Sequence, residues 1–254
     1  MNPLAARGFQ SGADAYERGR PDYSVDAVRH LVERLGISPA SSVLDIAAGT
    51  GKFTRHLALT GANIIAVEPV EGMRAKFRNS LPKTDMVAGL AELLPFNSSS
   101  LDAVVAAQSF HWFDSAKAVK EIHRVLKPSA GLGLIWNVRD ESVPWVADLS
   151  KIVNKYWDAG GIPRYWEGSW KSGFDGSNLF TPLQLAEFRY VQVSDLPTML
   201  DRFSSISYIS TLPESERSAF LESIRELMER WGVISKERMV ELPYRVDVFW
   251  CYRA

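Results

Sequence analysis

The chain has 254 residues, 46% of them hydrophobic and 23% charged, with a formal net charge of −1. That length allows one large α/β domain with a substantial core, and the charge balance gives no global basic field to attract nucleic acid or an anionic membrane. Cys251, the single cysteine, excludes an intramolecular disulfide and reads as a small apolar filler within "VFWCYR".

The opening "MNPLAARGFQSGADAYERGRP" lacks a basic stretch followed by an apolar one. No uninterrupted apolar run approaches about 18 residues, so the expectation is a soluble, cytoplasmic protein with no membrane partner. From Ser24, "SVDAVRHLVERLG" carries Val28, Leu31, Val32 and Leu35 at helical spacing, with Ser24 as cap and Gly36 as stop. "SSVLDIA" reads as a strand, "GKFTRHLALTG" as a helix ended by Gly61, and "ANIIAVEP" as a second strand. "EGMRAKFRNS" is helical, "TDMVAGLA" a short strand and "LDAVVAAQS" a buried one. "AKAVKEIHRVLKP" is a helix stopped by Pro128, and "AGLGLIWNV" is the fifth strand. Strands that are apolar throughout and alternate with helices predict a parallel sheet covered on both faces.

After Asn137 an aromatic, glycine-containing stretch intervenes. Two further strands, "AEFRYVQVSDL" and "ELPYRVDVFWCYR", flank the helix "ESERSAFLESIRELMERWG", whose Phe220, Ile224, Leu227 and Trp231 share one face. The expected organisation is one domain over 1–254: a cofactor-binding core over about 12–140, then a helical lid and closing strands over about 141–254. Oligomeric state leaves no legible signal.

"VLDIAAGTGKFT" is a strand, a small-residue turn and a helix start, the arrangement that brings backbone close to a nucleotide. A P-loop is excluded, because Gly51 and Lys52 are followed by Phe53 and no glycine stands five positions before Gly51. A dinucleotide turn needs a third glycine where Thr54 stands, which leaves an NAD(P)-dependent oxidoreductase as an alternative. The third reading is a carboxylate closing the strand before a small-residue turn: Asp45, Ala47, Gly49, Thr50 and Gly51. "VLDIAAGTG" resembles the first motif of class I S-adenosylmethionine-dependent methyltransferases. "GLAELLPFNSSSLDAVVAAQSFHWFD" and "HRVLKPSAGLGLIW" resemble later segments of that family, with Ala47, Leu90, Ser129 and Ala130 as departures. The resemblance runs from about Gly12 to Asp140, and "AYERGRPDYS" and "DRFSSISYISTLP" are similar to the trans-aconitate and ubiquinone-biosynthesis type of small-molecule branch.

The resemblance implies a Rossmann-like three-layer sandwich: a seven-stranded, mostly parallel sheet whose last strand is antiparallel, with a helical lid. It implies S-adenosyl-L-methionine as cofactor, S-adenosyl-L-homocysteine as product, and a small-molecule acceptor methylated on a carboxylate or hydroxyl oxygen. A cofactor-binding regulator without turnover is the remaining alternative. Asp45 is expected to meet the cationic methionine end and Glu68 the two ribose hydroxyls, with Pro69, Met73, Ala91 and Glu92 around the adenine. Tyr16 and Arg20 form an arm over the cofactor, Arg20 pairing its carboxylate, and Gln108 walls the methionine pocket. His111 is the candidate base or hydrogen-bond partner; Trp112, Trp136, Asn137, Arg202 and Tyr208 are assigned to the substrate, Arg202, Ser205 and Tyr208 sharing a face if helical. Five tryptophans (Trp136, Trp145, Trp157, Trp166 and Trp170) crowd the lid region, and most are expected to form its core. No H-E-x-x-H or cysteine cluster suggests a metal.

Overall fold

The computed structural model describes Gly8, residues 13–156 and residues 163–254; Trp157 and most of the amino-terminal dozen lie outside these. Their centre is a seven-stranded sheet of order β3-β2-β1-β4-β5-β7-β6. The strands are β1 (Ser42–Ile46), β2 (Asn63–Val67), β3 (Asp85–Val87), β4 (Leu101–Ala107), β5 (Leu126–Arg139), β6 (Gln184–Asp195) and β7 (Met239–Tyr252). β1 to β5 run parallel, while β7 lies antiparallel between β5 and β6.

Both faces of the sheet are covered, and the alternation of side chains explains why. Leu44, Ile46, Val104 and Leu132 pack with Ala118, Val119 and Ile122 of α5 (Ser115–Val125). Val43, Ala103, Val105 and Ile135 point the other way, onto α2 (Val25–Arg34) and α3 (Lys52–Ala58). A two-residue period feeding two apolar faces makes the central strands apolar throughout. Ser24 caps α2 as expected, its side chain accepting from the Ala27 N–H, and Gly36 follows with φ of 61°. Cys251 is fully buried in the sheet core, and burial pushes its thiol up to about 12.

A second core lies outside the sheet. It joins Trp145, Val146 and Leu149 of α6 (Pro144–Lys155), Met199 and Phe203 of α7 (Leu196–Ser204), and Phe220, Ile224 and Leu227 of α8 (Glu214–Arg230). α1 (Ala13–Gly19) rests on α7 at Gly19, where a Cβ would stand 2.2 Å from the Arg202 backbone nitrogen. The Gln192 side-chain amide donates to the Gly19 carbonyl at 2.8 Å and ties the same point to β6.

Three local expectations are corrected. α5 ends at Val125, not at Pro128, because β5 begins at Leu126 and runs through the proline. Trp231 closes α8 from its carboxyl end and is 43% exposed; Met228 fills the buried face instead. Arg202, Ser205 and Tyr208 are all buried, but α7 stops at Ser204, so a turn rather than a helix face brings them inward. Among the described residues no helix is long and apolar enough to cross a membrane.

Leu44 is fully buried at the centre of β1. Urea unfolding of Leu44→Ala is expected to show a loss of about 2–5 kcal/mol; a loss below about 1 kcal/mol would mean that the strand centre repacks freely.

Candidate active site

The strand order reverses between β1 and β4, so the loops leaving their carboxyl ends diverge and open a crevice. A cavity of about 670 Å³, counting its mouth, fills that crevice. Ile46, Ala47 and Gly49 line it from β1, Glu68, Pro69 and Met73 from the β2 end, and Gly89 to Glu92 from the β3 end. Ala107, Gln108 and Ser109 follow β4, and Tyr16, Trp112 and Phe113 close the top.

Glu68 is 4% exposed and organises the floor. One carboxylate oxygen accepts the Gly49 N–H at 3.0 Å and the other the Val70 N–H at 2.9 Å. Burial lifts its pKa from 4.5 to about 7, against the lowering effect of those two N–H groups and of the Arg74 charge. Each oxygen keeps a lone pair free for a further donor.

The other motif residues divide. Ala47 lines the cavity with φ of 54°, a left-handed conformation that suits glycine better, and its methyl narrows the floor. Asp45 is not in the cavity wall: it is fully buried and accepts the Thr54 hydroxyl at 2.6 Å. The pleat of β1 turns this oxygen of Asp45 toward α3, while the other, Oδ1, is buried without a hydrogen-bond partner. Its pKa is raised to about 7 by burial and, after the opposing Thr54 bond, by the Glu68 charge. Thr50 is fully buried behind the turn, and Gly51 caps α3 at φ of 88° where a Cβ would press on Leu81 and Phe77.

Pro69, Met73, Ala91 and Glu92 line the cavity, as does the departing Leu90. The Glu92 carboxylate accepts the Asp114 N–H at 2.9 Å, which tethers the β3 loop to the start of α5. Gln108, at φ of 58°, donates its side-chain amide to the Asn137 carbonyl at 3.2 Å and is thereby turned toward a second cavity.

That second cavity holds about 900 Å³, counting its mouth, and lies between the sheet edge and the outer helices. It shares Tyr16, Gln108 and Trp112 with the first. Arg20 enters from the arm, donating to the Ser205 hydroxyl at 2.9 Å and its carbonyl at 3.0 Å, with its guanidinium 4.9 Å from the Tyr16 ring centroid. Burial, then the charge of Arg202, lowers the Arg20 pKa to about 10, still cationic at neutral pH. Trp136 is 1% exposed, packs its ring at a tilt against both Tyr165 and Trp170, and donates its indole N–H to His111 Nδ1 at 3.2 Å. Burial, then the Arg20 charge, pushes His111 down to about 3. With Nδ1 accepting from the indole, the neutral ring carries its proton on Nε2, which is the donor it can offer the cavity.

Asn137 lines the same cavity while donating to the Asp22 carbonyl at 2.9 Å, and Arg202 lines it with Nε donating to the Tyr244 hydroxyl at 3.1 Å. Tyr208 does not line it: its hydroxyl donates to the Val153 carbonyl at 3.3 Å in the outer-helix core, which corrects its assignment to substrate. The tryptophans also divide otherwise than expected, Trp170 joining the sheet core, Trp145 the outer core and Trp166 the cavity wall. Sequence reasoning missed Arg139 and Tyr165 in this wall. Arg139 had a legible signal, since it closes β5 at the carboxyl edge where open sheets bind ligands.

Residues 44–132 match the family model described as "Methyltransferase domain". An uncharacterized methyltransferase of Mycobacterium tuberculosis is 35% identical over 246 residues, covering 97% of this chain and 94% of that protein. The chain belongs to the class I S-adenosylmethionine-dependent methyltransferases. An uncharacterized methyltransferase-like protein of Schizosaccharomyces pombe is 34% identical over 245 residues, 95% of this chain and 93% of its own. Among solved structures, a type II methyltransferase candidate from Anaeromyxobacter dehalogenans superposes with a TM-score of 0.68 at 21% identity, covering 91% and 97% of the two chains. A Haemonchus contortus phosphoethanolamine N-methyltransferase, solved with S-adenosylhomocysteine, superposes with a TM-score of 0.56 at 14% identity, covering 96% of this chain and 57% of that one.

The methyltransferase's first cavity fits a nucleoside of this kind. A Cβ built on Gly49, at φ of 60°, meets nothing within 4 Å, so the missing side chain leaves free space. Asp45 Oδ1 and Thr50 Oγ1 are buried without a hydrogen-bond partner, which is rare unless a ligand or water supplies one. Gly49→Val in this methyltransferase is expected to weaken S-adenosylhomocysteine binding about tenfold or more, read by calorimetry, because it fills that space and strains a left-handed position. Hydroxyl donors favour the ionised form of Glu68, and its folded pKa of about 7 exceeds 4.5. Affinity should therefore rise from about pH 6 to about pH 8, and Glu68→Gln should weaken binding roughly 10- to 100-fold and flatten that rise. An unchanged slope would remove Glu68 from the nucleoside site.

Proposed function

We propose that this methyltransferase transfers the methyl group of S-adenosylmethionine to a carboxylate or hydroxyl oxygen of a small cytoplasmic molecule. The carrying observation is that the two cavities share a wall of Tyr16, Gln108 and Trp112, one cavity suited to the nucleoside and the other to an acceptor. The single, buried thiol agrees with a reducing compartment.

In this reading Glu68 holds the ribose, and Pro69, Met73, Leu90 and Ala91 clasp the adenine with the backbone of Glu92. Ala47 and Gly49 let the methionine chain lie on bare backbone, and Asp45 attracts its cationic end through space. The residues over about 12–140 act as the binding core, and those over about 141–254 as lid and closing strands of one domain. The cofactor supplies a methyl carbon bonded to a cationic sulfur: an acceptor lone pair forms the new bond as the carbon–sulfur bond breaks, its electron pair passing to sulfur.

Such a displacement is accelerated mainly by alignment and by exclusion of water. Tyr16, with Arg20 beside it, covers the junction, and Trp136, Tyr165 and Trp166 wall the acceptor side. A carboxylate acceptor arrives without a proton, and a hydroxyl would release its proton to water. His111 supplies a hydrogen bond from Nε2 to orient the acceptor, the Trp136 indole holding the ring in that tautomer.

A methyl-release assay over a library of small acids, phenols and alcohols tests the proposal, with mass spectrometry to locate the added methyl. Consumption of no acceptor while S-adenosylhomocysteine still binds would favour the regulator. His111→Ala should reduce kcat about 10- to 100-fold through lost positioning. At saturating S-adenosylmethionine, where the Glu68 titration no longer limits binding, the wild-type kcat profile should contain no limb at the ordinary imidazole value of 6.5; a limb there that vanishes in the variant would assign His111 as the base.

A further inference from the structure

The acceptor cavity carries more positive charge than its wall compensates. Arg139 and Arg202 both line it, on elements as distant in sequence as β5 and α7, and Arg20 joins them from the arm. Each is held in place by a neutral group: Arg139 Nε donates to the Ser150 hydroxyl at 2.9 Å, Arg202 Nε to the Tyr244 hydroxyl, and Arg20 to Ser205. Among the described residues none of the three lies in an ion pair with a carboxylate. Arg202 is 6% exposed, and its Nη1 is buried with no hydrogen-bond partner. The one acidic residue in this wall, Glu141, is exposed.

A buried guanidinium without an anion is costly, and a wall that gathers the buried Arg202 with the half-buried Arg20 and Arg139 is built for negative charge. The cofactor brings a single carboxylate. Arg20 is placed for it: its guanidinium stands 4.9 Å from the ring of Tyr16, which lines the first cavity, and with Tyr16, Lys52, Gln108 and Arg202 it borders a small recess beside the junction. Arg139 and Arg202 then remain for the acceptor. An oxyanion clamped by two guanidiniums has its lone pairs engaged and is a poor nucleophile, so the methyl must go to a different oxygen.

Resting on the methyl-transfer reading above, we infer that the acceptor is a small organic anion with two separate oxygen functions. One, a carboxylate or phosphate, is anchored by Arg139 and Arg202. The other, a carboxylate or hydroxyl, reaches the junction of Tyr16, Gln108 and Trp112 and takes the methyl. The rings of Trp136, Tyr165 and Trp166 flank the carbon skeleton between them. Arg139 and Arg202 are thus specificity-determining residues, and the product keeps a negative charge at the anchored end.

The test uses the full chain and three arms: dicarboxylates of four to six carbons, phosphate monoesters of hydroxy compounds of similar length, and the neutral diamide or alcohol analogues of both. Turnover confined to the first two arms supports the inference, and the better arm identifies the anchored group. Neutral analogues turned over within about threefold of the acids in kcat/KM would overturn it. With the best acid, Arg202→Met and Arg139→Met should each raise KM about 30-fold or more, as expected for removal of one partner of a buried charge pair, while kcat changes less and S-adenosylhomocysteine affinity is retained. Arg202→Lys should recover part of the loss, because it restores charge without the fork. An unchanged KM in both Met variants would overturn the inference. Where a variant fails to fold, the three-arm comparison on the unaltered chain decides by itself. Failure of the unaltered chain to bind S-adenosylhomocysteine would instead strike the methyl-transfer reading.

Discussion

The site depends first on the Glu68 carboxylate. By accepting the Gly49 and Val70 N–H groups it joins the turn after β1 to the start of the helix after β2, and holds open the crevice between them. A buried carboxylate with two N–H donors could sit ionised at low pKa, yet burial wins and leaves Glu68 near neutrality at about 7. The floor is therefore poised: hydroxyl donors arriving from a ligand add the stabilisation that the ionised form lacks in the empty crevice. Asp45, similarly raised and close enough for the two charges to interact, gives the floor a second acidic group facing the same electrostatic problem. A cationic ligand eases both.

The roof is held by different physics. α1 reaches the site because Gly19 lets it press against α7, and Gln192 secures the contact from the sheet edge. That seating brings Tyr16 and Arg20 over the junction, while the ring cluster of Trp136, Tyr165 and Trp170 backs the second cavity. Floor and roof have opposite charge characters, acid beneath the first cavity and guanidinium around the second. The field along the line of transfer thus runs from one cavity to the other.

Much of this was legible in the chain. The apolar strands, the small-residue turn at Ala47 to Gly51 and the carboxylate at Glu68 follow from what a nucleoside against bare backbone demands, and each is local. Elsewhere the pleat or a distant neighbour decided the geometry. Asp45 and Thr50 stand in the motif with Oδ1 and Oγ1 buried and unpartnered, and a Cβ on Gly51 would press on Phe77 and Leu81. Tyr208 looked like Arg202's companion, yet α7 ends between them and sends its hydroxyl to Val153. His111 lines the second cavity, and its proton position depends on the Trp136 indole, twenty-five residues away in sequence.

The sequence by itself determined the α/β class, which depends on periodicity, and the family, which its motifs resemble, because strand period and turn chemistry are local. Only the tertiary structure decided which motif residues face the cavity, which ring nitrogen of His111 carries the proton, and that Arg20, Arg139 and Arg202 converge. Those outcomes depend on burial and on the field of groups far apart in the chain, and both exist only once the elements have packed.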